Sequence, residues 1–458
     1  MRLIRIAIGV IGAGLATLLA YQQGLPMPMV ATIGVTSLTA LLWVSEALPI
    51  PITSLVPFAL FPLTGVLTHK EAASAFGSHV IVLLMASFML SRALERSGAH
   101  ERLAIFMIGL VGSSGRRLVF GFMLAAALLS MWISNVATTL MLMTMALAIL
   151  ARSDDRKLAV PLLLGIAYAA SFGGTATLIG TPPNLIFADA FESETGTEFG
   201  FLRFMQIGLP SVIVGIPIMA FWLTRGLGGV QVPQMPNAGP WRVPEIRTMI
   251  VFAVAISLWI TRLEPFGGWS GWFGLSGAGD STVAVFAVLL MFIIPSGDQA
   301  RPNTALMDWE SAVDIPWGML LLFAGGICIA IAFRSSGLDD VIGDQLAGLA
   351  VLHPFVMILG LTLSVTFLTE ITSNTATANL LMPLLAAVAT SADIPHVLIM
   401  FPAVVAASCA FMLPMATAPD AIVYGTGRVT MADMVREGFL LNIVMAVVVA
   451  TVCYVLLA

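Results

Sequence analysis

The chain has 458 residues, of which 59% are hydrophobic and 10% charged, with a mean hydropathy of +1.00. So little charge cannot cover the surface of a soluble domain of this size, so the surrounding medium is lipid. The formal net charge of −5, with no basic patch or aromatic platform, excludes a nucleic-acid partner. The three cysteines, Cys328, Cys409 and Cys453, lie inside apolar runs and read as buried thiols, not as a disulfide framework or a metal cluster.

Arg2 and Arg5 flank the start of an apolar run from Ile4 to Leu19 that resembles a signal peptide. No small-x-small cleavage site ends it and another apolar segment follows at once, so a first transmembrane helix is expected. A span needs about 20 mostly apolar residues. Spans are expected near 4–21, 28–48, 52–67, 77–95, 159–193, 204–224, 246–263, 280–295, 316–335, 397–430 and 437–457. Two longer apolar stretches, about 118–151 and about 355–390, are each interrupted by a Ser-Asn pair and read as re-entrant hairpins. The sequence thus predicts an all-α integral membrane protein of eleven transmembrane helices plus two hairpins.

Basic residues orient these segments. With the N-terminus in the cytoplasm, Arg2, Arg5, Arg92, Arg96, Arg102, Arg116, Arg117, Arg152, Arg156, Lys157, Arg225, Arg242, Arg247, Arg301, Arg428 and Arg436 fall inside. Only Lys70, Arg203, Arg262 and Arg334 fall outside. Asp189, Glu192, Glu194 and Glu198 also fall outside, as does the C-terminus. Making either hairpin a full span would invert the downstream signs.

The sequence repeats itself. "LLMASFMLSRALERSG" at 83–98 is echoed by "LLFAGGICIAIAFRSSG" at 321–337, and "SNVATTLMLM" at 134–143 by "SNTATANLLM" at 373–382. "ATLIGTPPNLI" at 176–186 is echoed by "AFMLPMATAPDAIV" at 410–423. The organisation expected is an N-terminal helix (1–27), a first repeat (28–225), a Pro/Gly-rich cytoplasmic linker (226–245) and a second repeat (246–458). Five spans per copy, an odd number, force the second copy to sit inverted. Inverted repeats with broken helices characterise secondary transporters, whose substrate and ion meet near the midplane.

The breaks carry the chemistry. Ser130 precedes Ser134-Asn135, and Thr369 precedes Ser373-Asn374, at a spacing that stacks hydroxyls on one helix face. Hydroxyls, an Asn carbonyl and the unpaired carbonyls of a helix end make a neutral oxygen cage suited to sodium, a hard cation. The helix beginning beyond each break offers free N–H groups to an anion. The opposing breaks, "IGTPPN" at 179–184 and "MATAPD" at 415–420, follow the same logic. Gly180 permits close approach, Pro182 and Pro183 keep the chain from closing into helix, and Thr181 and Thr417 supply hydroxyls.

At these residues the chain resembles the divalent anion/sodium symporter family of dicarboxylate, citrate and sulfate carriers. The likeness runs from "WVSEALPIPITSLVPFALFPLTGVL" (43–67) through "GTPPNLI" and "LTEITSNTATANLLMP" (368–383) to "ATAPDAIVYGTGRV" (416–429). It implies a scaffold domain that forms a homodimer, a transport domain that moves like an elevator, and a bacterial inner (plasma) membrane location. It implies one sodium site at Ser130, Ser134, Asn135 and Gly180, and another at Thr369, Ser373, Asn374 and Ala416. Substrate carboxylates would meet Asn135, Thr181, Asn374, Thr375 and Thr417. The chain departs from the pattern at Val136, where the family has Thr, and at Ala418 and Asp420, where it has Pro and Asn.

Glu46, beside Pro49 and Pro51, reads as a helix-end residue. Glu370 points away from the cage by about 100° and reads as an organiser of its hairpin. Asp420 is open between strengthening a cation site, carrying a proton and facing water. The leading expectation is sodium-coupled uptake of a C4-dicarboxylate such as succinate, with no organic cofactor. Anion exchange, proton coupling and sulfate transport on the same fold stand as alternatives. A membrane enzyme would need a metal cluster or a nucleophile with its base, and neither HExxH nor a Ser/His/Asp set occurs.

Overall fold

The computed structural model describes residues 2–112, 114–153, 156–227, 239–264, 266–299, 302–339, 341 and 353–458. Most of the expected linker, 228–238, and residues 342–352 of the expected second repeat lie outside the described residues. The described residues contain no β-strand. Numbering helices of eight or more residues, the chain runs α1 (Arg2–Gln22), α2 (Met27–Ser45), α3 (Val56–Thr64), α4 (His79–Ser97), α5 (Ala99–Val111) and α6 (Gly115–Ser130). It continues through α7 (Asn135–Ser153), α8 (Arg156–Gly173), α9 (Pro182–Thr195), α10 (Phe201–Thr224), α11 (Val243–Ile260) and α12 (Asp280–Ile293). The remaining helices are α13 (Trp317–Ser336), α14 (Pro354–Thr369), α15 (Asn374–Ser391), α16 (His396–Ala406), α17 (Ala418–Gly425) and α18 (Met431–Leu457).

Eight segments among the described residues are long and apolar enough to cross a membrane: 2–22, 27–45, 69–97, 157–176, 201–224, 243–260, 317–336 and 431–457. Three of the eleven expected spans are shorter. The 52–67 region divides into Ile50–Thr53 and α3, and each piece starts with proline in its first turn. The 280–295 region is the 14-residue α12. The 397–430 region is two helices, α16 and α17, separated by residues 407–417. The sequence reading left residues 99–111 unassigned, and there the structure has α5. Its 13 residues rise about 20 Å, too short to span, and it packs on α6 while Phe106 and Leu110 stay exposed. Glu46 behaves as expected: it caps α2 in the left-handed conformation, its N–H bonded to the Trp43 carbonyl.

The helices interlock in matched pairs. α9 packs on α15 and α16, while α17 packs on α7 and α8. α4 packs on α11 and α12, while α13 packs on α2 and α3. α6 packs on α10, and α14 on α18. An aromatic cluster of Phe187, Phe191, Phe199, Phe204 and Phe401 fixes α9 to α10 and α16, with ring centroids as close as 4.8 Å.

A buried ionic clasp ties α10, α11 and α12 together. Arg262 donates to Asp280 at 2.8 Å and to Glu198 at 2.7 Å, and Asp280 also accepts the Phe201 N–H at 2.8 Å. Both Arg262 and Asp280 are buried. Arg262→Ala strands the Asp280 charge, which should cost about 3–5 kcal/mol and lower the unfolding temperature in detergent. Removing Asp280 as well should restore part of that loss. A single variant as heat-stable as wild type would show that the clasp carries no net stability.

Candidate functional site

α6 ends at Ser130 and α7 starts at Asn135; α14 ends at Thr369 and α15 starts at Asn374. Each tip is therefore a short turn between two helix ends. This corrects the expectation that Ser130/Ser134 and Thr369/Ser373 stack on one helix face, because the helix stops before the second hydroxyl. The turn produces a different pairing, the same in both tips. Ser130 Oγ donates to Asn135 Oδ1 at 2.5 Å, and Thr369 Oγ1 donates to Asn374 Oδ1 at 2.9 Å. Ser134 instead caps α7, its Oγ accepting the Ala137 N–H at 3.2 Å. Ser130 and Thr369 are fully buried, while Asn135 and Asn374 are half-buried.

Opposite the first tip, α8 runs out at Gly173, passes through one 3-10 turn and resumes as α9. Pro182 and Pro183 occupy the first two positions of α9, where a missing N–H costs nothing. They start a helix, which corrects the expectation that they keep the chain out of one. Asn184 turns back and donates to the Gly174 carbonyl at 3.0 Å and the Thr177 carbonyl at 2.7 Å. Thr177 Oγ1 donates to the Met131 carbonyl at 2.6 Å, joining break to tip. The break and the tip meet at Gly174. A Cβ on that residue would lie 2.9 Å from the Gly180 carbonyl and 3.0 Å from Asn135 Oδ1. Gly180 is as tight, since a side chain there would overlap the Gly174 backbone.

The second break repeats the local turn. Ala416 donates its N–H to the Leu413 carbonyl at 3.1 Å, as Gly180 does to Thr177 at 3.3 Å. Thr417 starts α17 in extended backbone, as Thr181 starts α9. This break is longer and held differently. Buried Glu370 accepts N–H bonds from Phe411 (2.7 Å), Met412 (2.9 Å) and Leu413 (2.9 Å), plus one from Asn442 Nδ2 (2.7 Å). Tyr168 donates to the Phe411 carbonyl at 2.6 Å. This corrects the expectation that Glu370 organises its own hairpin: its four side-chain hydrogen bonds go to the opposing break and to Asn442 of α18. Thr369 Oγ1 also lies 3.0 Å from the Ala407 carbonyl, and its single proton serves one of the two acceptors at a time. α10 and α18 press on the breaks through glycine: a Cβ on Gly208 would overlap the Thr175 carbonyl, and one on Gly438 the Phe411 carbonyl.

The donor set tests the expected ion. The Gly180 carbonyl and Asn135 Oδ1 crowd the same point above Gly174, Ser130 Oγ lies 2.5 Å from Asn135 Oδ1, and all three oxygens are neutral. A hydroxyl and an amide oxygen each keep acceptor lone pairs beyond the bond they share. Such a set fits a hard monovalent cation. Thr369 and Asn374 make the corresponding pair in the second tip. The structure does not link Ser373 or Ala416 to it through a recorded side-chain bond. Thr181, Thr375 and Thr417 are buried beside the breaks, and Val136, the counterpart of Thr375, is 39% exposed.

The sequence reading did not single out Asn184, Thr177, Tyr168 or Asn442. Asn184 lay in plain view within "GTPPN". Asn442 had one weak signal, an amide inside the apolar run 438–457 of α18, which in lipid needs a partner.

Glu370→Gln replaces an acceptor oxygen with an N–H donor, so at least one buried backbone N–H loses its bond, at about 1.5–3 kcal/mol. The variant should unfold at lower temperature and bind ion and substrate at least tenfold more weakly. Unchanged binding would mean that this carboxylate does not set the break.

Residues 40–407 match the model of the citrate transporter family. The chain is 36% identical to the sodium-dependent dicarboxylate transporter SdcS of Staphylococcus saprophyticus and 35% identical to the protein of that name from Staphylococcus aureus. Each match covers 96% of this chain and 88% of the relative. The crystal structure of the Alcanivorax borkumensis YdaH transporter aligns with a TM-score of 0.63 over 94% of this chain and 98% of that one. At 14% identity that likeness shows the fold alone. The chain is a multi-pass membrane transporter and not an enzyme. It belongs to the citrate transporter family, among the divalent anion/sodium symporters.

Proposed function

We propose that this protein imports a small dianion, a C4-dicarboxylate of the succinate type, using the inward sodium gradient. The observation that carries the reading is the duplicated tip, in which a buried hydroxyl is bonded to an asparagine oxygen at a helix end facing a second helix break. One side of each tip gathers neutral oxygens for sodium: Ser130, Ser134, Asn135 and Gly180 in the first, Thr369, Ser373, Asn374 and Ala416 in the second. The other side is a helix N-terminus, where Asn135, Thr181, Asn374, Thr375 and Thr417 would hold the substrate carboxylates. Sodium bound beside the anion lowers the cost of bringing negative charge into the membrane, which couples the two. The names of the staphylococcal relatives support both the ion and the substrate class.

In this reading the matched packing of α9 on α15/α16 and α17 on α7/α8 reflects an inverted repeat, with α6–α7 and α14–α15 as re-entrant hairpins. They, the broken helices, and α10 and α18, which pack on the breaks, form a transport domain that moves as an elevator against a scaffold made of the remaining helices. The scaffold forms a homodimer in a bacterial plasma membrane, with the N-terminus cytoplasmic and the C-terminus outside.

Purified protein in liposomes tests this directly. An inward sodium gradient should drive accumulation of labelled succinate, and Asn374→Ala should abolish it while leaving the oligomer intact. Accumulation indifferent to sodium would sink the symport reading, and wild-type uptake by the variant would sink the tip assignment. Sulfate uptake in place of succinate would redirect the substrate class.

A further inference from the structure

Asn184 and Asp420 occupy corresponding places, each three residues after the threonine that starts the helix beyond its break. Both are buried, and in both the Oδ1 atom has no hydrogen-bond partner. The second terminal atom of Asn184 is a donor, its Nδ2 serving the Gly174 and Thr177 carbonyls. The second terminal atom of Asp420, Oδ2, shares a bond of 2.7 Å with the Thr417 hydroxyl, and the Asp420 N–H donates to that same hydroxyl oxygen at 3.2 Å. The Thr181 hydroxyl, by contrast, makes no capping bond to α9.

A negative charge on Asp420 would have nothing to balance it. The residue is completely buried and does not face water, and among the described residues no basic side chain forms an ion pair with it. α17 packs on α7 and α8, and α7 carries no ionisable residue from Asn135 to Ala151. The groups that act on Asp420 are the Tyr168 hydroxyl of α8 and the Glu370 carboxylate of the second tip, a like charge. Burying an unpaired charge costs more than giving it up, so the acid is neutral. Its one proton then has two possible places. On Oδ1 it would be a buried donor without an acceptor, whereas on Oδ2 it donates to Thr417 Oγ1. The second arrangement repeats that of Asn184, a bare carbonyl oxygen beside a donor.

We propose that Asp420 is a neutral acid that donates to Thr417 and thereby fixes the Thr417 hydroxyl as a donor to one carboxylate of the substrate. A hydroxyl oxygen has two acceptor positions. At Thr417 the Asp420 O–H fills one and the Asp420 N–H fills the other, so the hydroxyl has only its own proton left to offer. Ser171 Oγ lies 3.5 Å away, at the outer limit of a bond, and gives way to a charged acceptor. The proton therefore serves a substrate oxygen, and no lone pair of Thr417 is left for a sodium ion. Thr181 keeps its lone pairs open, so the two threonines differ in kind: Thr417 only gives, while Thr181 gives or accepts. Asp420 acts through Thr417 and is a positioning residue, and substrate arrival moves no proton on or off it. This inference rests on the reading of Thr417 as a substrate ligand.

Infrared spectroscopy and calorimetry of the detergent-purified protein test it. At about pH 8, where solvated carboxylates are ionised, the wild type should show the C=O stretch of a protonated carboxylic acid, and Asp420→Asn should lack it. Asp420→Asn keeps a donor beside Thr417 and should bind fumarate in sodium buffer within about twofold of wild type. Asp420→Leu leaves the Thr417 hydroxyl free to turn and should bind about five- to tenfold more weakly, the net worth of one hydrogen bond. Titrations in buffers of different ionisation enthalpy should report no proton exchanged on binding. A missing acid band, proton uptake, binding at least tenfold tighter in Asp420→Asn, or wild-type binding in Asp420→Leu overturns the proposal alone. If the variants fail to fold, the wild-type acid band, shifted by isotopic labelling of the aspartate carboxyls, and the wild-type proton count decide. Absence of sodium-dependent fumarate binding by the wild type overturns the dicarboxylate reading and the role of Thr417 with it.

Discussion

A helix that stops inside a bilayer leaves carbonyl and N–H groups that lipid cannot solvate, and each one left bare costs several kcal/mol. Among the described residues, helices are interrupted at 131–134, 174–181, 370–373 and 407–417, and buried polar side chains bond to the backbone of the two breaks. The first break is short and is closed by amide chemistry: Asn184 supplies protons to two carbonyls and Thr177 a third bond to the neighbouring tip. The second break, across 407–417, exposes N–H groups, so its fastener is an acceptor, the Glu370 carboxylate. The same problem is solved with opposite polarity in the two halves. A buried carboxylate that accepts three backbone N–H bonds and one from an amide has its charge dispersed over real donors, which is why Glu370 is tolerable where an unpaired acid would not be.

The two tips agree in their hydroxyl–asparagine pair and differ at the helix starts beyond it. Ser130 with Asn135 and Thr369 with Asn374 make one and the same pairing, and the Gly180 and Ala416 turns share one hydrogen bond. The differences are Val136 against Thr375, and Asn184 against Asp420, both at helix starts where an anion's oxygens would lie. Under the proposed function, two cation sites of equal chemistry would lie beside two unequal anion subsites, which would hold the two ends of the substrate unequally.

Much of this was written in the sequence. The Ser-Asn interruptions and the helix breaks near Gly180 and Ala416 followed from spacing and from what lipid forbids, and the helix-end place of Glu46 followed from its neighbours. What escaped was set by backbone direction at helix ends. A spacing of four residues implies a shared face only while the helix continues, so Ser130 and Ser134 separate once it stops at Ser130. Pro182 and Pro183 break one helix and open the next, and composition alone does not say which. α5 went unassigned because its charged first turn, His100-Glu101-Arg102, hides an apolar stripe too short to register as a span. Tyr168 and Asn442 are single polar groups in apolar helices, and only the fold brings them to Phe411.

The character of the contacts indicates where movement in the proposed cycle would occur. α9 is held to α10 and α16 by five packed phenylalanine rings, and α17 is wedged against α7 and α8 with Asp420 sealed inside. Displacing these elements from one another would expose apolar and buried polar surface together. The contact of α4 with α9 is different: Ser78 donates to Asp189 at 3.1 Å, and His79 lies 3.2 Å from Glu192 with its side chain 47% exposed. Bonds of that kind exchange with water at little cost. A rigid body of tips and broken helices sliding past α4 would keep every oxygen of the candidate site in place, and along α4 itself it would give up contacts that solvent replaces.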